Sequence, residues 1–248
     1  MNDNKHPYLW WIPNFITSLN LTFGSFAVFL GIQGYIGYAA ICIGLAAVFD
    51  FLDGMSARLL HSYSELGKQL DSLCDLVSFG LAPATIAFSL LQLSLFGDLY
   101  TFSEIQATWY EWLLLASCLF IPIAGAFRLA KFNIDTRQET GFLGLPIPAN
   151  ALFFASLAGI VAWSNSAIAI DIVLNKFNLL ISIIIFSSMM VSEVPMFSLK
   201  IKNFSWKDNQ IRYIFLVLCL ILMLLLGIVG LPLIIISYIV LSIITRNN

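Results

Sequence analysis

The sequence predicts an all-α protein that crosses a membrane about eight times, and three observations predict it. Of 248 residues, 60% are hydrophobic and 10% charged, with a mean hydropathy of +0.91, a composition that places the chain among polytopic membrane proteins. The apolar residues fall into long runs separated by short polar connections, which is helix and not strand patterning. With eight crossings, all of the 12 Lys and Arg residues except Lys176 fall on one side of the membrane, as basic retention on the cytoplasmic side requires. An odd number of crossings would break that asymmetry.

The elements follow in order. Residues 1–12 mix Lys5 and His6 with Tyr8, Trp10 and Trp11 and read as an interfacial lead-in. The first run, Pro13 to Ile32, is long enough to span and lacks a small-residue cleavage site, so it is expected to be retained and not removed as a signal peptide. Its Asn14, Thr17 and Asn20 recur at three-residue steps and share a face. A second span starts near Tyr35 and a third covers Gly67 to Leu93. The connection after it carries Asp98 and Glu104 and no basic residue. The fourth span, Trp109 to Leu129, ends in Arg128, Lys131 and Asn133. Gly141, Gly144, Pro146 and Pro148 predict a kinked or re-entrant start for the fifth, which ends near Trp163. The sixth covers Phe177 to Val194, and two more, Ile211 to Leu226 and Gly230 to Ile244, meet in a very short glycine turn.

Net charge is −2, which says little about partners in a membrane protein, and nucleic acid is not an expected ligand. Cys42, Cys74, Cys118 and Cys219 are scattered through apolar runs with no paired spacing, so they are expected to be packing residues. His6 and His61 are too far apart for a histidine metal site.

The chemistry is concentrated between Asp50 and Asp75. There the chain reads Asp-x2-Asp-Gly-x2-Ala-Arg-x8-Gly-x3-Asp-x3-Asp: Asp50, Asp53, Gly54, Ala57, Arg58, Gly67, Asp71 and Asp75. Ionised carboxylates inside membrane helices cost several kcal/mol unless paired or metal-bound. On helices, Asp50, Asp53, Gly54 and Ala57 share one face, and Gly67, Asp71 and Asp75 share another. A tight turn between Arg58 and Gly67 makes the helices antiparallel neighbours with their acidic stripes facing. All-oxygen ligands suit Mg²⁺, Mn²⁺ or Ca²⁺, and two ions can be held. Gly54 and Ala57 leave space for a ligand against the backbone, and Arg58 is placed to meet phosphate oxygens. A structural salt-bridge network would leave the carboxylates under-neutralised, and an EF-hand needs ligands spaced around a loop.

At every fixed position this motif is similar to the signature of the CDP-alcohol phosphatidyltransferases. The resemblance implies a six-helix membrane core, divalent metal (Mg²⁺ or Mn²⁺), and transfer of the phosphatidyl group of CDP-diacylglycerol to an alcohol with release of CMP. Three further stretches, Asp71 to Ala84, Arg128 to Asn133 and Gly144 to Ala149, with Leu19-Asn20, resemble the branch of the family that uses L-serine and makes phosphatidylserine. Lys131 stands where many members carry Arg, which keeps the charge. The resemblance fades after about Lys200. The implied organisation is one catalytic domain, 1–248, with the core at 13–195 and two added spans at 211–244. The resemblance also implies a homodimer, and the one-sided Lys and Arg predict that the site and both termini face the cytoplasm, with the cell's inner membrane the expected location.

In that frame Asp50, Asp53, Asp71 and Asp75 hold the metals, and Asp53, Gly54, Ala57, Arg58, Gly67 and Asp71 hold the CDP moiety. Asp75, last on its stripe, is the candidate general base. Arg128 is the candidate cation for the serine carboxylate, with Asn20 and Asn133 as neutral contacts; a snorkelling arginine is the bland alternative. Glycerol 3-phosphate and inositol phosphate remain open as acceptors. A metal-ion carrier would use the carboxylates but leaves Gly54, Ala57, Arg58 and Gly67 without a purpose.

Overall fold

Among the described residues the regular structure is helical apart from one two-residue strand pair. The structure, a computed structural model, describes residues 11–62, 64–134, 142–197 and 206–245, with backbone alone at 142 and 206–208. Most of the lead-in therefore lies outside the described residues, and its last two residues already belong to the first helix.

Helices α1 (Trp11–Ile32) and α2 (Ile36–Leu59) form an antiparallel pair whose rings Phe23 and Phe49 stack at 5.2 Å. After a short turn comes the helix on which the bundle is built, residues 65–96. Its apolar stretch is 67% buried, against 28% for α1 and 33% for α2. It has three parts: α3 (Glu65–Asp75), a π-helical segment (Leu76–Leu81) and α4 (Ala82–Phe96). The widened segment has a cause in the sequence. Pro83 has no N–H to offer the carbonyl of Phe79, and its ring would strike that carbonyl in a regular α-helix. The Ala82 amide instead reaches back five residues to the Val77 carbonyl.

Small residues let α1 lie against this central helix. Gly24 faces Ser78 and Gly31 faces Thr85, and the Ser89 hydroxyl donates to the Gly31 carbonyl at 2.8 Å. The next pass is α5 (Trp109–Ala116), a 3₁₀ turn (Ser117–Leu119) and α6 (Phe120–Ile134). The tight turn precedes Pro122 for the same reason that the π segment precedes Pro83. Gly80 and Gly125 let the two helices approach closely: a Cβ on Gly125 would stand 3.8 Å from the Gly80 Cα.

The expected kinked or re-entrant entry after Gly141 takes another form. Phe142–Leu143 (β1) pairs antiparallel with Pro195–Met196 (β2), and α7 (Ile147–Trp163) starts directly behind Pro146. Gly144, at φ +77°, is pressed against the Met190 and Ser192 carbonyls, 2.6 and 2.7 Å from where a Cβ would stand. A short helix, α8 (Ala167–Val173), precedes α9 (Lys176–Val191), which coincides with the expected sixth span, and the two are bent by 59° at the break between them. Phe153 and Phe186 stack at 3.8 Å and join α7 to α9.

Residues 209–244 make one 36-residue apolar helical stretch. Drawn out straight it would measure about 54 Å, far more than a ~30 Å hydrocarbon core. It folds back instead. Gly227, at φ +54°, turns α10 (Trp206–Leu226) into α11 (Gly230–Ile244), and Phe215 meets Tyr238 at 5.9 Å. Among the described residues five stretches are long and apolar enough to cross a membrane, six if the bent pair is one span. α7, a shorter apolar helix of 17 residues, and the two arms of the hairpin pack into the same bundle. The 15-residue α11 reaches only about 22 Å. All four cysteines are free, as their spacing predicts.

Candidate active site

The site lies at the end of the bundle where α2 finishes and α3 begins. Ser64 caps α3, accepting from the Gly67 amide at 2.9 Å, and fixes how α3 enters beside α2. The consequence is that the two acidic stripes converge. One oxygen each of Asp50, Asp53 and Asp71 lies within 4.8 Å of the others. Asp75, one turn beyond Asp71, is within hydrogen-bonding reach of Asp50. Two carboxylates that close in a buried setting require a proton or a cation between them.

α1 forms the third wall through the polar face that its three-residue spacing predicts. Asn20 Nδ2 donates to Asp75 Oδ1 at 3.1 Å, and the Ser78 hydroxyl donates to the Asn20 carbonyl at 3.1 Å. Thr17 is buried and borders, with Asn14, a cleft of about 220 Å³ that also has Asp53, Gly54, Ala57, Gly67 and Asp71 in its walls. Nothing lies within 4 Å of where a Gly54 side chain would project. At Gly67 a Cβ would stand 3.0 Å from Ser64 Oγ and 3.1 Å from Asn14 Oδ1. Arg58 follows Ala57 at the exposed end of α2.

The donor set fits a divalent metal. Asp53 Oδ2 and Asp71 Oδ1 are buried without a hydrogen-bond partner, an expensive state for carboxylate oxygens that a hard cation would relieve. The groups are all oxygen, and they come from two rigid helices.

On the far side stands Arg128 of α6, 8% exposed, its Nε without a partner. It feels the charges of Asp75 and Asp50 and packs over the Phe132 ring at 5.3 Å. Among the described residues Arg128 is the one buried basic side chain. Asn133 lies farther along α6, its amide donating to Ser72 Oγ at 2.9 Å. The sequence-predicted residues thus divide. Asp50, Asp53, Asp71, Asp75 and Asn20 cluster, Gly54, Ala57 and Gly67 line the cleft, Arg128 faces the cluster, and Arg58 and Asn133 stand at the margin.

Two neighbours were not legible in advance. Lys68 lines the cleft and donates to the Asn133 carbonyl at 3.1 Å; its position next to Gly67 was the available signal. Tyr238 of α11 lies near enough to Arg128 to interact with it electrostatically, and nothing in local sequence ties residues so far apart.

Comparison with known proteins places the chain in a family. Residues 10–245 match the family model for CDP-alcohol phosphatidyltransferase, so the match runs through the C-terminal hairpin, beyond the point where the motif wording fades. The chain is 36% identical over 138 residues to a CDP-diacylglycerol--serine O-phosphatidyltransferase of Bacillus subtilis, covering 56% of this chain and 70% of that protein. It is 32% identical over 161 residues to an archaetidylserine synthase of Methanothermobacter thermautotrophicus, covering 63% and 61%. With the Saccharomyces cerevisiae CDP-diacylglycerol--serine O-phosphatidyltransferase it shares 35% over 161 residues, covering 58% and 52%. The chain thus spans between about half and 70% of the length of these relatives.

Proposed function

Since the chain belongs to the CDP-alcohol phosphatidyltransferase family, we propose that it transfers the phosphatidyl group of CDP-diacylglycerol to L-serine, giving phosphatidylserine and CMP. Relatives from bacteria, archaea and yeast named for a serine acceptor support the reading. The observation that carries the choice of acceptor is the single buried cation. Serine brings one carboxylate, which Arg128 can meet. Glycerol 3-phosphate or inositol phosphate would bring more negative charge beside four carboxylates, and among the described residues no second buried Lys or Arg answers it.

Asp50, Asp53, Asp71 and Asp75 would hold the divalent metal, Mg²⁺ or Mn²⁺ and two ions in our reading, which supplies charge neutralisation at the pyrophosphate oxygens and the leaving phosphate. Gly54 and Ala57 leave the backbone of α2 open to the cytidine diphosphate, Gly67 and the Ser64-capped end of α3 border it, and Arg58 meets it at the rim. The serine hydroxyl oxygen attacks the phosphorus bonded to diacylglycerol. Its proton passes to Asp75, and the bond from that phosphorus to the CMP oxygen breaks with its electron pair on CMP. Asn20 holds one oxygen of Asp75, orienting the other. Arg128 receives the acceptor's carboxylate, with Asn20 and Asn133 as the neutral groups assigned to the acceptor pocket.

The protein is an integral multi-pass membrane protein. The one-sided distribution of its basic residues supports a cytoplasmic site and cytoplasmic termini in the cell's inner membrane. Labelling of a cysteine introduced at Ser62 from the outer face would overturn that orientation. A homodimer is part of the same proposal, and cross-linking in native membranes tests it. The activity is tested by CMP release from CDP-diacylglycerol in detergent micelles with a panel of acceptors.

A further inference from the structure

We infer that Lys68, Ser72 and Asn133 form a latch fixing the acceptor side of the site to its metal-binding side, so that Asn133 acts on the acceptor by position and not by touch. The inference rests on the function proposed above and assigns Asn133 a narrower role within it.

Three hydrogen bonds close a ring. Asn133 Nδ2 donates to Ser72 Oγ at 2.9 Å, Ser72 Oγ donates to the Lys68 carbonyl at 3.2 Å, and Lys68 Nζ donates to the Asn133 carbonyl at 3.1 Å. Lys68 and Ser72 are one turn apart on α3, the helix that carries Asp71 and Asp75. Asn133 is in the last turn of α6, the helix that carries Arg128. The ring therefore spans the two halves of the site, joining residues 61 and 65 positions apart in sequence.

A helix end is where α6 most needs such a tie, because its last turn lacks the onward backbone bonds that hold its middle. A second tether holds the same end: Lys131 pairs with Glu193 at 2.8 Å, with side chains 35% and 59% exposed. Exposed pairs of that kind are screened and contribute little. The half-buried amide-to-hydroxyl bond is the stronger restraint, and Ser72 is already oriented for it by its bond to the Lys68 carbonyl. Lys68 also lines the nucleotide cleft, so the ring borders both substrates.

The amide of Asn133 has two N–H groups, and one is committed to Ser72. If Asn133 works through that bond, removing either partner has the same effect. If it touches the acceptor, Ser72 is dispensable. The test is steady-state kinetics on the full-length protein in micelles, varying serine and CDP-diacylglycerol separately, for Ser72→Ala, Asn133→Ala, the double variant and Ser72→Thr. The latch predicts that each alanine variant raises KM for serine about fivefold, the loss expected of one net hydrogen bond, with KM for CDP-diacylglycerol nearly unchanged. The double variant is then no worse than either single one, and Ser72→Thr, which keeps the hydroxyl, stays near the parent protein. A rise confined to Asn133→Ala, additive losses in the double variant, or equal rises in both KM values would overturn the latch. If the parent protein releases CMP with another acceptor and not with serine, the functional reading falls instead, and the latch is read on the KM of that acceptor.

Discussion

Asn20 on the first helix holds Asp75 on the third, Nδ2 to Oδ1 at 3.1 Å, across 55 residues of sequence. Asn20 is fully buried, so this bond positions a carboxylate inside the membrane, where a misplaced charge is costly. Replacing Asn20 by Ala should lower kcat roughly ten- to hundredfold, the range expected for losing a hydrogen bond to a charged group that must be aligned for proton transfer. Asp75→Asn should be inactive while still binding CDP-diacylglycerol. Unchanged turnover in Asn20→Ala would remove Asp75 from the chemistry.

Arg128 faces Asp50 and Asp75 from α6 with an unpartnered Nε. Arg128→Ala should raise KM for serine far more than KM for CDP-diacylglycerol, with a loss on the order of 2–5 kcal/mol if a buried charge pair is broken. Weakened CDP-diacylglycerol binding with unchanged serine saturation would move Arg128 to the phosphate side.

The three converging carboxylates give a sharper test of metal dependence. Asp50→Asn, Asp53→Asn and Asp71→Asn each replace a charged ligand by a near-isostere, so turnover should vanish while the protein keeps its elution profile in detergent. A chelator should abolish activity in the parent protein, and excess Mg²⁺ or Mn²⁺ should restore it. Near-normal activity in all three variants would contradict the metal assignment.

Two glycines separate space for packing from space for substrate. At Gly24 a Cβ would stand 2.7 Å from the Ser78 Cα, so Gly24→Val should lower thermal stability by about 1–3 kcal/mol through overpacking. Gly54 has nothing within 4 Å of that position. Gly54→Val should leave the melting temperature in detergent near the parent value and raise KM for CDP-diacylglycerol. The opposite pattern would show that the cleft beside Gly54 is structural.

Much of this was legible in the sequence because membrane helices obey few rules. Asp50, Asp53, Asp71 and Asp75 could be brought together on paper, since i, i+3 and i, i+4 spacing fixes a helix face and a short turn fixes the neighbour. The stripe of Asn14, Thr17 and Asn20 pointed inward for the same reason. Hydropathy could not show the π segment at Leu76–Leu81, although Pro83 held the cause. Nor could it show the short helix α8 ahead of Phe177, because Ser164 to Ser166 and Asn175 interrupt the apolar run. Contacts such as Asn133 to Ser72 and Tyr238 to Arg128 depend on which passes are neighbours, and periodicity carries no information about that.

The central claim is the transfer to serine, and one measurement tests it most directly: CMP released from CDP-diacylglycerol by the purified full-length protein in micelles with Mg²⁺ or Mn²⁺, with serine, glycerol 3-phosphate and inositol phosphate supplied in turn. The account predicts CMP release that depends on serine and is matched mole for mole by phosphatidylserine, with no stimulation by the phosphorylated alcohols. Release driven by glycerol 3-phosphate or inositol phosphate, with serine inert, would contradict it.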